Sequence, residues 1–215
     1  TSGKKSNSHR LEFKSWIPPL GILVAFVLSR VLYDQAGMRF QDDTYLGYWS
    51  YIDPELLYTD LWRSVLHLHS QPPLSNLFTG LVLQGFPDAH GEVFHSLYFI
   101  PGILLSLSIY LLGRALRFPP WLSALISTWF IVSPAAVLYE HWLTYAYSLT
   151  AMLTLAGVCL YRFLHTGKVL WGFLFFALLG GIALTWSLFH LVWLLGIAVI
   201  LFVVSTEKKK VAIAA

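Results

Sequence analysis

The sequence predicts an all-α, polytopic membrane protein, and its composition, its apolar segments and the placement of its basic residues each indicate that class. Of the 215 residues, 57% are hydrophobic and 12% are charged, whereas a soluble domain is about half apolar and about a quarter charged. The basic residues flank the apolar segments, so the net charge of +3 indicates orientation in a bilayer rather than binding to nucleic acid. The single cysteine, Cys159, excludes a disulfide within the chain.

Six transmembrane helices are predicted from the lengths of the apolar segments. A span needs roughly 20 apolar residues, and five regions meet that requirement: Trp16–Tyr33, Phe94–Gly113, Pro120–Leu138, Ala146–Phe163 and Val169–Ser205. The last region would form one helix about 55 Å long, nearly twice the thickness of the hydrocarbon core. It is therefore expected to be a hairpin of two spans that breaks near Thr185-Trp186-Ser187, with Gly180-Gly181 as a competing break or simply a close helix–helix contact.

A further apolar segment, Pro72–Phe86, decides the topology. As a helix it covers only about 22 Å, which is too short to cross. If it does not cross, 11 of the 14 Lys and Arg residues are cytoplasmic, and if it crosses, 4 of 14 are. The positive-inside rule therefore places it on the outer surface as an amphipathic or half-inserted helix. The 11 are Lys4, Lys5, Arg10, Lys14, Arg114, Arg117, Arg162, Lys168, Lys208, Lys209 and Lys210.

This topology divides the chain into three parts. Residues 1–15 are a cytoplasmic basic tail, residues 16–205 form the transmembrane domain, and residues 206–215 are a second basic tail or a truncation point. The first span is followed by one long external loop, 34–93, with eight acids against Arg39 and Arg63. Within it, apolar residues recur at three and four from Asp53 to Leu68, which predicts an interfacial helix with Asp53 as its cap and Pro54 as its first residue.

Candidate functional residues lie at the predicted external face. Asp42 and Asp43 directly follow the first span, where interfacial helices would hold a carboxylate near the membrane as a general base. Glu140 follows the third span on the same side, so the two loops are expected to converge. Arg30 near the outer end of the first span is costly in lipid and should pair with an acid or an anionic group. Solvated loop acids remain the alternative for Asp42, Asp43 and Glu140.

The order of these features resembles a known superfamily. One span, a long acidic external loop with two surface helices, a "HSQPPL" element and a "SPAAVLYEHW" span end are similar to the C-type glycosyltransferases. More narrowly, the chain resembles the bacterial polyprenyl-phosphate-sugar transferases related to protein O-mannosyltransferases and aminoarabinose transferases. The resemblance covers Arg30 to Trp193. Members are usually about twice as long as this chain, which implies an N-terminal portion of a longer enzyme or a short member.

The resemblance implies an activity and roles for particular residues. It implies transfer of a sugar from a polyprenyl-phosphate donor to an unknown acceptor on the periplasmic face of the bacterial inner membrane, with inversion. An acid after the first span would be the base (Asp42 or Asp43), and Glu140 would be a second active-site acid. His69 would approach the lipid phosphate, and His190 would replace an arginine that the family segment near Trp186 leads one to expect. The candidate substrate-binding residues are Arg30, Arg63, His69, His141 and His190.

Two other classes stay open. Six of the eight histidines are external on this topology, and histidine with carboxylate is a ligand set for divalent ions. A divalent-metal transporter would need such ligands at mid-membrane, and the predicted spans place none there, so no metal site is assigned and a divalent cation is left as an unassigned cofactor. A non-catalytic membrane assembly subunit is the other alternative.

Overall fold

The computed structural model describes residues 3–42, 51–67, 73–186 and 191–204, with the backbone alone for 3–15, 191 and 204. This part of the chain is mostly helical and has no strand, which confirms the predicted all-α class. The helices are α1 (Gly3–Gln35), α2 (Pro54–Thr59), α3 (Leu61–His67), α4 (Pro73–Gly85), α5 (His90–Ala115), α6 (Pro120–Ile131), α7 (Pro134–Glu140), α8 (Tyr145–Thr166), α9 (Val169–Thr185) and α10 (Leu191–Val204).

Three of these helices are long and apolar enough to cross a membrane: α1 over Trp16–Gln35, α5 and α8. Helices α6 and α7 pass the same test together but are bent by 59° at the break between them, so they add a fourth span if the pair is one broken span. Helices α9 and α10 are apolar but shorter, at 17 and 14 residues. The described residues thus give three or four candidate spans, and the count of six stays a prediction.

The predicted third span, Pro120–Leu138, is two helices rather than one. Helix α6 ends at Ile131, and α7 begins at Pro134, where a missing N–H costs little because the first helical position needs no donor. The Ser133 hydroxyl accepts from the Ala136 N–H at 3.3 Å and caps the new helix. The break leaves the carbonyls at the end of α6 without partners in their own helix.

The predicted interfacial helix over 53–68 is also divided, at Asp60. Its predicted start is confirmed, because Asp53 caps α2 by accepting from the Glu55 N–H and Pro54 is the first residue. The division has a tertiary cause. The Gln84 Nε2 of α4 donates to the carbonyls of Leu57 and Tyr58 at 3.0 and 3.1 Å, and those carbonyls would otherwise accept from the next turn of a continuous helix.

The predicted short helix after Pro72 is confirmed as α4, and one of its faces is buried in the bundle. It contacts α2, α3, α5 and α9. Gly80 permits close packing, since a Cβ there would lie 2.3 Å from Leu61. The fully buried Asn76 accepts from the Ile52 N–H at 2.7 Å through its side-chain oxygen. Helix α4 therefore organises the segment that precedes it in the chain.

The break in the predicted hairpin also has an observed position. Helix α9 continues through Gly180 and Gly181 and ends at Thr185. The predicted break near residues 185–187 is therefore confirmed, and the competing break at the glycine pair is wrong. A Cβ on Gly181 would lie 3.6 Å from the Met152 sulfur, so this glycine faces α8 at ordinary contact distance.

The bundle has two ends of opposite charge. Helices α5 and α8 run parallel, because the Tyr98 hydroxyl reaches Thr144 at their starts and Gly157 approaches Leu112 near their ends. We call the end where α1 finishes and α5 and α8 begin the acidic end. Its acids include Asp34, Asp42, Asp88 and Glu92. The opposite end, with the α5–α6 and α8–α9 connections, carries Arg114, Arg117, Arg162 and Lys168, and we call it the basic end.

Candidate functional site

Main-chain pairing joins the two predicted site loops at the acidic end. The Gln41 N–H donates to the His141 carbonyl at 2.7 Å, and the Leu143 N–H donates to the Gln41 carbonyl at 3.0 Å. These bonds make a parallel bridge between Gln41 and Trp142. The loop after α1 and the α7–α8 connection are therefore held side by side, as their common location in the predicted topology suggested.

Tyrosines from two other elements hold the same connection. The Tyr51 hydroxyl donates to the Leu143 carbonyl at 3.0 Å, and the Tyr98 hydroxyl donates to the Thr144 carbonyl at 2.9 Å. Backbone carbonyls in a connecting segment must find partners when they are removed from water. Residues 141–144 thus form a fixed platform rather than a free loop, and Asp42 directly follows the residue that is bonded to it.

Beneath this platform, Arg30 of α1 and Glu140 of α7 form a buried ion pair. Arg30 Nε donates to Glu140 Oε1 at 2.9 Å and Nη2 donates to Oε2 at 2.5 Å. The side chains are 4% and 1% exposed. This two-bond geometry is the strong form of the contact between guanidinium and carboxylate. The expectation that Arg30 pairs with an acid is confirmed.

Arg30 also stabilises the broken span. Its Nη1 donates to the Ile131 carbonyl at 2.6 Å and to the Ser29 hydroxyl at 2.8 Å. The Tyr33 hydroxyl donates to the Val132 carbonyl at 3.3 Å. Two side chains of α1 thus satisfy carbonyls that the end of α6 leaves unpaired, and Arg30 links that end to the last residue of α7.

Tyr147 completes the network and was missed by the sequence interpretation. Its hydroxyl donates to Glu140 Oε2 at 2.6 Å from the first turn of α8. Around the pair, the Arg30 guanidinium lies 4.1 Å from the centre of the Phe26 ring. A Cβ on Gly102 would come within 2.9 Å of Glu140 Oε2, so glycine permits the close approach of α5. The available signal for Tyr147 was its position seven residues after Glu140, at the same predicted end of the bundle.

Asp42 lies beside the start of α5 rather than inside the ion-pair network. Its Oδ2 is 3.3 Å from His90 Nε2, and the two side chains are 14% and 29% exposed. A Cβ on Gly91 would lie 3.0 Å from the same oxygen. The N-cap residue of α5 is Ala89, which makes no side-chain cap, so a carboxylate here meets the positive end of the helix dipole.

The other predicted site residues are placed less favourably or lie outside the description. Arg63 is exposed on α3. His141 is 1% exposed, and its Nδ1 lies 2.8 Å from the Val137 carbonyl, so its ring supports the end of α7 rather than offering a surface to substrate. Asp43, His69 and His190 lie outside the described residues. Glu140 is likewise enclosed, which favours a structural contribution over direct contact with substrate.

Two clefts border the acidic end. One of about 450 Å³ lies between α1 and α5 and is lined by Arg30, Asp34 and His95 with apolar neighbours. The other, of about 340 Å³, is enclosed by α4, α5, α8 and α9 and is almost wholly apolar. Hydroxyls of Ser75 and Ser148 are among its few polar groups. We call them the α1–α5 cleft and the α4–α9 cleft.

In the part of the chain that the structure describes, no group of three or more His, Cys, Asp or Glu side chains is placed to hold an ion. The arrangement instead offers one half-buried carboxylate, an adjacent imidazole, a rigid platform and an apolar cleft. No family model, curated protein or solved structure matches the chain.

Proposed function

We propose that the protein is a membrane glycosyltransferase that moves a sugar from a polyprenyl-phosphate donor to an acceptor at the acidic end, with Asp42 as general base. The observation that carries the proposal is the seat of Asp42: a half-buried carboxylate fixed next to a rigid platform at one end of a membrane bundle. A carboxylate held in this way is suited to accept a proton from an incoming nucleophile. Asp42 is proposed as the base because it is the member of the Asp42–Asp43 pair that the structure describes, and it lies 3.3 Å from His90 Nε2.

The proposal includes six spans, with α6–α7 as one broken span and α9 and α10 as a hairpin. The charges of the two ends support an orientation. The basic end would be cytoplasmic together with the N-terminal residues, and the acidic end would face the periplasm across a bacterial inner membrane. Short helices such as α9 are accommodated by local thinning of the bilayer or by flanking residues, at modest cost.

Single-cysteine labelling tests this orientation. In a Cys159→Ala background, Asp88→Cys at the acidic end should react with a membrane-impermeant maleimide in intact bacterial cells. Thr166→Cys at the basic end should react only after permeabilisation. Both positions are exposed in the structure, so accessibility within the fold does not limit either reaction. The reverse pattern would place the acidic end in the cytoplasm and remove the periplasmic site.

The α4–α9 cleft is the proposed seat of the donor's isoprenoid chain, because its lining is apolar and it lies among helices that would face lipid. Arg63 and His69, which precede α4 in the chain, are proposed to approach the donor phosphate. In the reaction, the acceptor oxygen or nitrogen attacks the anomeric carbon and its proton passes to Asp42. The bond from that carbon to the phosphate oxygen breaks, and polyprenyl phosphate leaves with the electron pair. This single displacement inverts the anomeric carbon.

Donor turnover tests the activity directly. Purified protein in liposomes is supplied with undecaprenyl-phosphate hexoses and pentoses, and a delipidated cell-envelope extract provides acceptors. We expect release of undecaprenyl phosphate, measured by mass spectrometry, from at least one donor. A folded protein that releases none from any donor would support the alternative of a non-catalytic assembly subunit.

A further inference from the structure

His90, at the first position of α5, has two polar neighbours with different chemistry. Its Nδ1 lies 2.9 Å from the Pro87 carbonyl, and its Nε2 lies 3.3 Å from Asp42 Oδ2. Its ring also makes an edge contact with Phe94, with centroids 6.4 Å apart. The imidazole is therefore held from three directions, although it is 29% exposed.

The Pro87 and Asp42 contacts each place an acceptor oxygen against a ring nitrogen. A carbonyl oxygen only accepts hydrogen bonds, so Nδ1 must carry a hydrogen for this contact to be favourable. If Nε2 were then bare, its lone pair would face a carboxylate oxygen, and two acceptors would oppose each other. A hydrogen on Nε2 removes that conflict, so the favourable contact with Asp42 is a donation from Nε2 to the carboxylate.

We propose that His90 is a positioning residue for the transfer reaction: its Nε2 holds Asp42 Oδ2 and so orients the carboxylate that acts as base. This inference rests on the proposed function. In the reaction the proton from the acceptor passes to Asp42 and not to His90.

The role differs from that of a general structural contact. Pro87, His90 and Asp42 form a chain in which the backbone fixes the imidazole and the imidazole fixes the carboxylate. A carboxylate side chain that is misplaced by about 1 Å costs a reaction about 100-fold. Loss of the ring should therefore reduce kcat rather than binding of the donor, because the donor's chain and phosphate lie elsewhere in the proposed site.

The test uses the full-length protein in liposomes and the undecaprenyl-phosphate sugar that the wild type turns over fastest. We expect His90→Phe to lower kcat by roughly 10- to 100-fold with KM within about twofold. His90→Gln keeps a side-chain N–H donor and should recover part of that loss. His165→Phe is the matched control, since His165 also lies within hydrogen-bond distance of a backbone carbonyl, at 3.0 Å, but at the basic end.

A double-mutant cycle supplies the second readout. In an Asp42→Asn background, His90→Phe should cause no further loss, because the group that it orients is already gone. An independent, additive loss in that background would overturn the inference, as would a His90→Phe protein with wild-type kcat. Absence of transfer by the wild type would overturn this inference together with the proposed function, whereas a normal Asp42 effect with silent His90 variants would overturn this inference alone.

Discussion

Glu140→Gln is expected to lower the free energy of unfolding by about 3–5 kcal/mol, the range found when one partner of a buried ion pair is removed. The substitution keeps the size of the side chain but leaves the Arg30 guanidinium 4% exposed with no counter-charge. Within a bilayer no water is present to solvate that charge. The substitution also weakens the hydrogen bond from Tyr147, whose hydroxyl in the wild type donates to a carboxylate oxygen of Glu140 at 2.6 Å. Chemical denaturation in detergent, followed by tryptophan fluorescence, measures the loss.

The chain offers a matched control for this experiment. Arg39 and Asp34 form an ion pair of the same chemistry on the surface, with side chains 69% and 55% exposed. Water solvates both partners there, so Asp34→Asn should change stability by about 0–1 kcal/mol. If Glu140→Gln lowered the free energy of unfolding by no more than Asp34→Asn does, the buried network would not stabilise the fold as its geometry indicates.

Replacing both charges separates the value of the pair from the cost of an orphan charge. Arg30→Met combined with Glu140→Leu removes both groups that need compensation. We expect the double variant to be more stable than either single variant, because replacement of a buried pair by apolar residues is often near neutral. The Ile131 carbonyl would still lose its donor, so a residual cost of about 1–3 kcal/mol should remain.

These expectations assign Glu140 a structural role instead of the role of an active-site acid. Its position at the end of a span, where the helix dipole is unfavourable, correctly indicated that it needs a partner. The sequence left three partners open: Arg30, an acceptor amine or a bound cation. The structure places Arg30 there with two hydrogen bonds. Glu140 would therefore contribute to the proposed site only indirectly, through the platform at residues 141–144 that directly follows it.

Local signals in the sequence account for the elements that were predicted correctly. Apolar length located α1, α5 and α8, and an Asp-Pro pair located the start of α2. Arg30 indicated a buried partner, because an unpaired guanidinium in lipid is energetically costly. Each of these inferences depends on a few neighbouring residues and on the solvent, and both are fixed before the chain folds.

The features that the sequence did not disclose depend on residues far apart in the chain. Helix α2 ends where it does because the Gln84 side chain, more than twenty residues later in the chain, donates hydrogen bonds to the carbonyls of Leu57 and Tyr58. The break between α6 and α7 is stabilised by Arg30, 101 residues from Ile131. Tyr147 was missed since a tyrosine at the membrane interface has an ordinary explanation as a belt residue. Tertiary packing determines these helix breaks and contacts, and no local sequence pattern indicates them.

Asp42→Asn is expected to reduce sugar transfer by about 10²- to 10⁴-fold, the usual contribution of a positioned general base. Asparagine keeps the shape of the side chain and still offers an oxygen to His90, but it cannot take a proton. Because Asp42 is 14% exposed and lies outside the Arg30–Glu140 network, the variant should fold and insert like the wild type. The measurement is release of undecaprenyl phosphate from the donor, with unfolding measured in parallel.

Two further variants show whether a loss of sugar transfer comes from removal of the base. Asp88→Asn removes an exposed acid at the same end and should leave transfer unchanged, which controls for the charge of the surface. Asp43→Asn tests the adjacent acid, which the resemblance to C-type glycosyltransferases allowed equally. If Asp43→Asn abolished transfer while Asp42→Asn left it intact, the base would be Asp43, and His90 would have no catalytic partner. If neither substitution slowed a transfer that the wild type performs, the base would lie outside this loop. We expect Asp42 to give the large loss, because α5, His90 and the Gln41 bridge hold its carboxylate in place.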